Sequence, residues 1–167
     1  MTGKSSINGE RFLSRLNELG QTGREAGRLT RLAASDTDKA SRDAVVAWMK
    51  DAGLEIKIDR IGNILGIWSS PYNNDQARVM LGSHIDTVIN AGIYDGAAKE
   101  RGLQSKRMTS GAGQDAQMMA RICPTAMIFV PSVDGISHNP KEFTAGPDLV
   151  AGANVLMDVV VKLTEAK

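Results

Sequence analysis

Two histidines and several carboxylates lie in glycine-bearing segments that directly follow apolar runs of the chain. His84 and Asp86 come just after the apolar run 79–81, so on an extended backbone their side chains share one face. Such a pair suits a metal-bound imidazole whose other ring nitrogen is held by a carboxylate. Asp95 stands nine residues further on, in a glycine-bearing turn that can return a second carboxylate to the same place.

The second histidine, His138, stands in a similar polar loop, 132–140, after the apolar segment 125–130. Zinc binds nitrogen and oxygen ligands of this kind, and two-zinc hydrolases need a carboxylate to bridge ions about 3.5–4 Å apart. In that arrangement Asp95 is the bridge, and His84 and His138 are terminal ligands. The alternative is that each histidine lies in an ordinary solvated turn. Spacing alone does not decide between the two.

The elements that must position these loops follow from periodicity and from glycine or polar caps. The predicted helices span 10–19 (ended by Gly20), 36–52 (capped by Ser35 or Asp36, with Gly53 after its end), 115–122 and 147–163, with little more than one helical turn over 97–101 before Gly102. The predicted strands span 54–58, 64–68, 79–81, 103–108 and 125–130, and a turn at Gly62-Asn63 joins the first two as a hairpin-like pair. The inner face predicted for the last helix consists of Leu149, Val150, Ala153, Leu156, Met157 and Val160. Met118, Met119 and the lone Cys123 are expected to be buried.

Composition excludes several classes of function. The chain has 167 residues, a net charge of +1 and few aromatic residues, 4%, which argues against nucleic acid or an acidic membrane surface as a partner. No apolar run approaches the roughly 20 residues that span a bilayer, and the polar N-terminus lacks the apolar segment of a signal peptide. We therefore expect a cytoplasmic protein with one domain over residues 1–167.

Beyond these patterns, three groups of motifs resemble the N-carbamoyl-L-amino-acid and allantoate amidohydrolases of the dinuclear-zinc aminoacylase and carboxypeptidase superfamily. They are GSHIDTV at 82–88 with YDG at 94–96, SGAGQDAQMM at 110–119, and MIFVPS at 127–132 with GISHNP at 135–140. The resemblance implies an α/β fold, a mixed-sheet sandwich of the zinc-peptidase (aminopeptidase-like) type.

The resemblance also implies roles for individual residues. His84 would ligate one zinc (or manganese) ion, Asp86 would orient His84, Asp95 would bridge both ions, and His138 would ligate the second. The loop Gly111, Ala112, Gly113 and Gln114 would bind substrate. The reaction would be hydrolysis of a ureido or amide C–N bond in allantoate or an N-carbamoyl amino acid by metal-bound hydroxide.

The chain also departs from the family pattern. It contains no Glu-Glu pair, which in the family supplies the general base and a zinc ligand, and no third histidine. Gln114 stands where the family has histidine. The sequence thus resembles the two ends of a catalytic domain joined near residues 96–98, without the middle and the lid domain.

Two functions follow from this comparison. The first is a metal-dependent amidohydrolase that is impaired or inactive as this chain, with an incomplete two-ion site. The alternative is a non-catalytic remnant, a scaffold or interaction protein that keeps the fold. Loss of the middle strands also predicts self-association through an exposed sheet edge.

Overall fold

The structure is a computed structural model, and it describes part of the chain. The described residues are 5–25, 28–29, 35–60, 62–69, 79–81, 98, 100–106, 115–136, 139 and 141–165. The chain packs as two compact units. The N-terminal unit is Glu10–Gln76, and the C-terminal unit is Met1–Gly9 together with Ala77–Lys167. This division concerns packing only, so the single domain expected over residues 1–167 stays a prediction.

Helices and short antiparallel strand pairs make up the regular structure of the described residues. In chain order they are α1 (Gly9–Gln21), β1 (Arg24–Glu25), β2 (Arg28–Leu29), α2 (Asp36–Asp51), β3 (Glu55–Ile58), β4 (Ile64–Ile67), α3 (Asp115–Met119) and α4 (Gly146–Glu165). β1 pairs with β2, and β3 pairs with β4. Helices combined with small sheets fit the predicted α/β class, while the mixed-sheet sandwich stays a prediction. None of the described helices is long and apolar enough to cross a membrane.

Helix α2 begins and ends where the sequence predicted. Ser35 is its N-cap, and the Ser35 hydroxyl accepts a hydrogen bond from the backbone N–H of Asp38 at 3.2 Å. At the other end Gly53 adopts a left-handed φ of 78°, and its N–H donates to the carbonyl of Lys50 at 2.8 Å. Both signals are local, because a capping hydroxyl and a left-handed glycine act within four residues of the helix end.

Helix α1 runs past the glycine that was expected to end it. It continues through Gly20 to Gln21, and the left-handed glycine after it is Gly23, with φ 83°. Gly20 has no left-handed φ, so it costs helix propensity without terminating the helix.

The hairpin of β3 and β4 is closed by a three-residue turn. The N–H of Asp59 donates to the carbonyl of Asn63 at 3.0 Å, and the N–H of Gly62 donates back to the carbonyl of Asp59 at 3.1 Å. Gly62 has φ 94°, which a side chain would strain. Helix α2 packs on one face of the hairpin, so closely that a Cβ at Gly66 would stand 3.1 Å from Met49 Sδ. The predicted hairpin is therefore confirmed, with its turn at Gly62.

In the C-terminal unit, α4 packs against the extended segment 125–130. Val155 and Val159 on α4 are buried together with Ala98, and Ile128 packs against them. A Cβ at Gly152 would stand 2.5 Å from Val130 Cγ1, so the packing of Val130 leaves no room for a side chain at this position.

The face of α4 that meets the core therefore differs from the predicted one. Val155 and Val159 were not in the predicted inner face, whereas Leu156, which was, is 37% exposed. The helix is apolar around most of its circumference, so periodicity does not identify the packed side.

Three predicted strands are wrong in the residues that the structure describes. Residues 79–81, 103–106 and 125–130 form no strand pairing, and Met80 and Leu81 are 70% and 57% exposed. Apolar runs predict strands only if a neighbouring strand is available to pair with them.

The prediction that Met118 and Cys123 are buried is also wrong. Met118 is 58% exposed, and Cys123 is an exposed free thiol. Cys123 lies in the turn after α3, where its N–H donates to the carbonyl of Met119 at 3.0 Å. This turn carries its side chains at the surface.

Candidate functional site

The predicted site residues lie outside the part of the chain that the structure describes. These residues are His84, Asp86, Asp95, Gly111, Ala112, Gly113, Gln114 and His138. Their roles and their convergence stay predictions. The structure does describe the segments that enter or leave each predicted loop, and the geometry of those segments follows.

The helical turn after Asp95 is the first of these segments. The N–H groups of Arg101 and Leu103 donate to the carbonyl of Ala98 at 3.1 and 3.0 Å. Gly102, at φ 72°, ends the turn, as the sequence predicted. Ala98 is only 8% exposed and belongs to the apolar cluster on α4. The segment that leaves the predicted bridging carboxylate is thus held in the core of the C-terminal unit.

Arg101 ties this turn to α4 and to the N-terminal segment. Its Nε and Nη2 donate to the two carboxylate oxygens of Asp158 at 2.5 and 2.6 Å, and Nη2 also donates to the carbonyl of Ser5 at 2.8 Å. Both side chains of the pair are only 13% exposed. The hydrogen bonds to Asp158, and then its negative charge, raise the pKa of Arg101 above its ordinary value, against the effect of burial.

A turn that is held by hydrogen bonds precedes His138 in the chain. The N–H of Val133 donates to the carbonyl of Phe143 at 2.9 Å, which closes the base of the loop. The Ser132 hydroxyl donates to the carbonyl of Ile136 at 2.5 Å across a short 3₁₀ turn. Asp134 in that turn has a left-handed φ of 56°, a conformation that asparagine and aspartate tolerate best after glycine. The residues leading into the predicted second ligand are therefore fixed by main-chain hydrogen bonds.

The apolar cluster on α4 joins the anchors of two predicted site loops. Ala98 follows Asp95 by three residues, and Ile128 precedes the loop at 132–140 by four. Both pack in the same cluster with Val155 and Val159. The turn that follows the first predicted loop and the segment that precedes the second consequently pack in the same apolar core.

Sequence reasoning missed Arg101 and Asp158, which are 57 residues apart in the chain. One signal was available, since Asp158 is the only charged residue of α4 between Asp148 and Lys162. An isolated acid in an apolar helix suggests a buried partner.

The described residues contain no group of three or more histidine, cysteine, aspartate or glutamate side chains that could hold a metal ion. The donor types predicted from the sequence, two imidazoles with a bridging carboxylate, suit zinc. Their number does not, because each zinc takes about four ligands and the three residues are shared between two ions.

Comparison with known proteins identifies relatives of this chain. Residues 90–162 match Peptidase family M20/M25/M40. An allantoate amidohydrolase of Bacillus subtilis is 43% identical over 79 residues, 47% of this chain and 19% of the relative. An N-carbamoyl-L-amino acid amidohydrolase of Geobacillus stearothermophilus is 40% identical over 91 residues, 54% of this chain and 22% of the relative. A Haemophilus influenzae protein described as an uncharacterized hydrolase is 52% identical over 68 residues, 41% of this chain and 16% of the relative.

The matched segments thus span about a sixth to a fifth of the length of these relatives. No solved structure matches the chain. The family match includes the turn at Ala98, the segment 125–130 and most of α4, which together build the core of the C-terminal unit. Residues 90–162 therefore resemble peptidase family M20/M25/M40, and parts of the chain are similar in sequence to the allantoate and N-carbamoyl-L-amino-acid amidohydrolases.

Proposed function

We propose that this chain carries part of the catalytic domain of a metal-dependent amidohydrolase, and that the 167-residue chain does not catalyse the reaction alone. The substrate class is a small ureido or carbamoyl compound, of which allantoate and N-carbamoyl amino acids are the candidates. The metal is zinc or manganese, and the complete domain is a mixed-sheet α/β sandwich. The names of the relatives support the substrate class.

One observation carries the proposal, namely the cluster of Ala98 and Ile128 on α4. The cluster contains Ala98, three residues after Asp95, and Ile128, four residues before the loop 132–140 that carries His138. Only short segments of chain therefore separate the cluster from two of the predicted metal ligands. The bidentate pair of Arg101 and Asp158 adds a second tie between the same turn and the same helix. This packing lies inside the segment that matches the family.

The absence of activity in the isolated chain follows from its composition. No Glu-Glu pair is present to supply a general base, and removal of a general base typically slows a reaction by about 10²–10⁴-fold. Gln114 cannot exchange a proton as an imidazole would. Three ligands divided between two ions also bind metal weakly.

Metal binding and turnover together test the proposal. Zinc content after dialysis and isothermal titration with Zn²⁺, Mn²⁺ or Co²⁺ measure the site, with His84→Ala and His138→Ala as matched variants. Ammonia or amino-acid release from allantoate and N-carbamoyl amino acids measures turnover. We expect weak binding that both variants abolish, and no turnover. Turnover that disappears in His84→Ala would show that the chain is an enzyme without the missing groups.

The same titration discriminates the alternative, a non-catalytic remnant that serves as a scaffold or interaction protein. Gln114 and the missing glutamates favour it, whereas the presence of His84, Asp95 and His138 favours a metal site. A wild-type chain that binds no more metal than His84→Ala would support the remnant and refute the metal site.

A further inference from the structure

The outer edge of β3 presents backbone groups that the hairpin does not use. In an antiparallel pair, successive residues direct their N–H and C=O groups alternately toward and away from the partner strand. Asp59 donates its N–H to Asn63, so Lys57 and Glu55, opposite Leu65 and Ile67, also face β4. The N–H and C=O groups of Ile56 and Ile58 therefore point outward. In the described part of the chain, the sheet holding β3 consists of β3 and β4 alone.

The side chains along this edge form a charge pattern that is complementary to itself. Glu55 and Lys57 are on the face opposite Ile56, and their charged groups stand 3.2 Å apart, each side chain 61% exposed. Ile56 is half-buried on the face that α2 covers, and Ile58 is 60% exposed. On an antiparallel copy of the strand the order of the two charges is reversed, so the acid of each copy can pair with the base of the other.

We propose that β3 pairs with β3 of a second copy of this chain, antiparallel, about a two-fold axis at Ile56. In this register Glu55 of each copy lies opposite Lys57 of the other, which gives two cross-strand ion pairs. The N–H and C=O of Ile56 bond reciprocally to those of the other Ile56. The N–H of Ile58 donates to the carbonyl of Leu54, because the Leu54 N–H is already donated to Met49 at 3.1 Å. Four intermolecular hydrogen bonds then join the two hairpins into a four-stranded sheet.

Other two-fold registers are less favourable. An axis at Glu55 or at Lys57 places that residue opposite itself, and like charges directly opposite each other destabilise a strand pair. An axis at Ile58 carries the partner strand past the turn at Asp59, where the carboxylate is already bonded to the N–H of Asn63 at 2.8 Å. The charge pattern and the turn therefore both select the axis at Ile56.

This pairing through β3 does not depend on the loss of the middle strands, and it is independent of the proposed function. The paired segment is short, so the contact is far smaller than the roughly 1,600 Å² of a standard interface. We expect a dimer that forms with rising concentration rather than a permanent one.

Charge variants test the register by sedimentation equilibrium of the whole chain in reducing buffer. Lys57→Glu and Glu55→Lys each turn two attractive pairs into repulsive ones, so each should weaken dimerisation by roughly tenfold. The double variant E55K/K57E restores both pairs and should dimerise like the wild type. A mixture of the two single variants should form heterodimers. Lys106→Glu, on an exposed lysine outside β3, changes the net charge equally and should have no effect alone or mixed with E55K.

Amide hydrogen exchange resolved by residue tests the backbone geometry. Lys57 should be protected at every concentration, because its N–H bonds to β4. Ile56 and Ile58 should gain protection only as the dimer forms. Ile58→Pro removes an outward N–H that the hairpin does not use, and it should abolish dimerisation while the protection of Lys57 persists. A monomer up to about 1 mM, a dimer insensitive to both single charge variants, or rapid exchange of Ile56 within the dimer would each overturn the proposal.

Discussion

At the scale of single residues, the Arg101 side chain joins three parts of the C-terminal unit. It joins the turn at Ala98, the Asp158 carboxylate of α4 and the carbonyl of Ser5. Removal of one partner from an enclosed ion pair leaves the other charge unsolvated, which costs more than the pair itself contributes.

We predict that Arg101→Met lowers the free energy of unfolding by about 2 kcal/mol, since Asp158 keeps its charge and loses the two hydrogen bonds from Arg101, and the Ser5 carbonyl loses a third. Urea denaturation followed by circular dichroism measures the change. Lys162→Met is the matched control, because Lys162 pairs with Glu100 at a more exposed position, 38% and 50%. That variant should change stability by no more than about 0.5 kcal/mol. Equal losses of stability in the two variants would show that the burial of the Arg101–Asp158 pair does not increase its contribution.

The pH dependence of this contact follows from the sign of the pKa change. A cation whose pKa is raised on folding contributes stability below its unfolded-state pKa, and loses it only as the pH rises through the folded-state value. For Arg101 both values lie above the working range, so arginine remains charged throughout. The stability difference between the wild type and Arg101→Met should therefore be constant from about pH 7 to about pH 10. A difference that shrinks within this range would show that another group titrates with the pair.

Gly152 is the second position at which one residue sets the packing. Its missing side chain admits Val130 against α4, where a Cβ would be 2.5 Å from Val130 Cγ1. We predict that Gly152→Ala destabilises the chain by about 1–2 kcal/mol, although alanine gains nearly 1 kcal/mol of helix propensity. Gly20→Ala, in α1 with nothing within 4 Å, should instead stabilise by about 0.5–1 kcal/mol.

A double variant isolates the contact at Gly152. In a Val130→Ala background the obstructing methyl group is gone, so adding Gly152→Ala should cost nothing further in the same denaturation measurement. A full loss of stability in that background would place the strain elsewhere in the helix.

At the scale of elements, the sequence predicted the helix ends and turns, which depend on residues close together in the chain. Ser35, Gly53 and Gly62 fixed α2 and the hairpin, because capping and turn chemistry act over three or four residues. The packed face of α4 and the strands at 79–81 and 125–130 were predicted wrongly, since each depends on a partner that is distant in the chain. The site motifs predicted the similarity to the M20/M25/M40 peptidases, but local patterns could not relate Arg101 to Asp158.

Helix α2 offers a test of local control. Ser35→Ala removes the acceptor for the N–H of Asp38, and we expect a loss of about 1 kcal/mol. Ser35→Asp keeps an acceptor oxygen at the N-cap and should retain most of the stability. Thermal unfolding followed by circular dichroism measures both. Equal stability in the alanine variant and the wild type would show that tertiary packing alone holds the first turn.

At the scale of the whole molecule, the described residues enclose little apolar surface. The buried apolar residues in those segments are Ala98, Val155 and Val159. Large apolar side chains elsewhere are open to solvent, including Ile122 at 78%, Met80 at 70% and Phe143 at 62%. Burial of apolar surface is the main favourable term in folding, so a small core predicts a small margin of stability.

We therefore expect a free energy of unfolding below about 5 kcal/mol and binding of the dye ANS without denaturant. Both are measured on the full chain, by urea titration and by dye fluorescence. A steep cooperative transition with a larger free energy, together with no dye binding, would mean that the exposed apolar side chains are covered in solution.

The distribution of tryptophan has a practical consequence for all such measurements. Both tryptophans, Trp48 and Trp68, belong to the N-terminal unit. The guanidinium carbon of Arg15 lies over the Trp48 ring, 5.3 Å from the centroid of that ring. Trp68 is 71% exposed, so we expect its emission to change little when the hairpin unfolds. Intrinsic emission therefore reports chiefly on the contact between α1 and α2. A melting curve recorded by tryptophan emission therefore does not report directly on α4 or on the other residues of 90–162, the segment that matches the peptidase family.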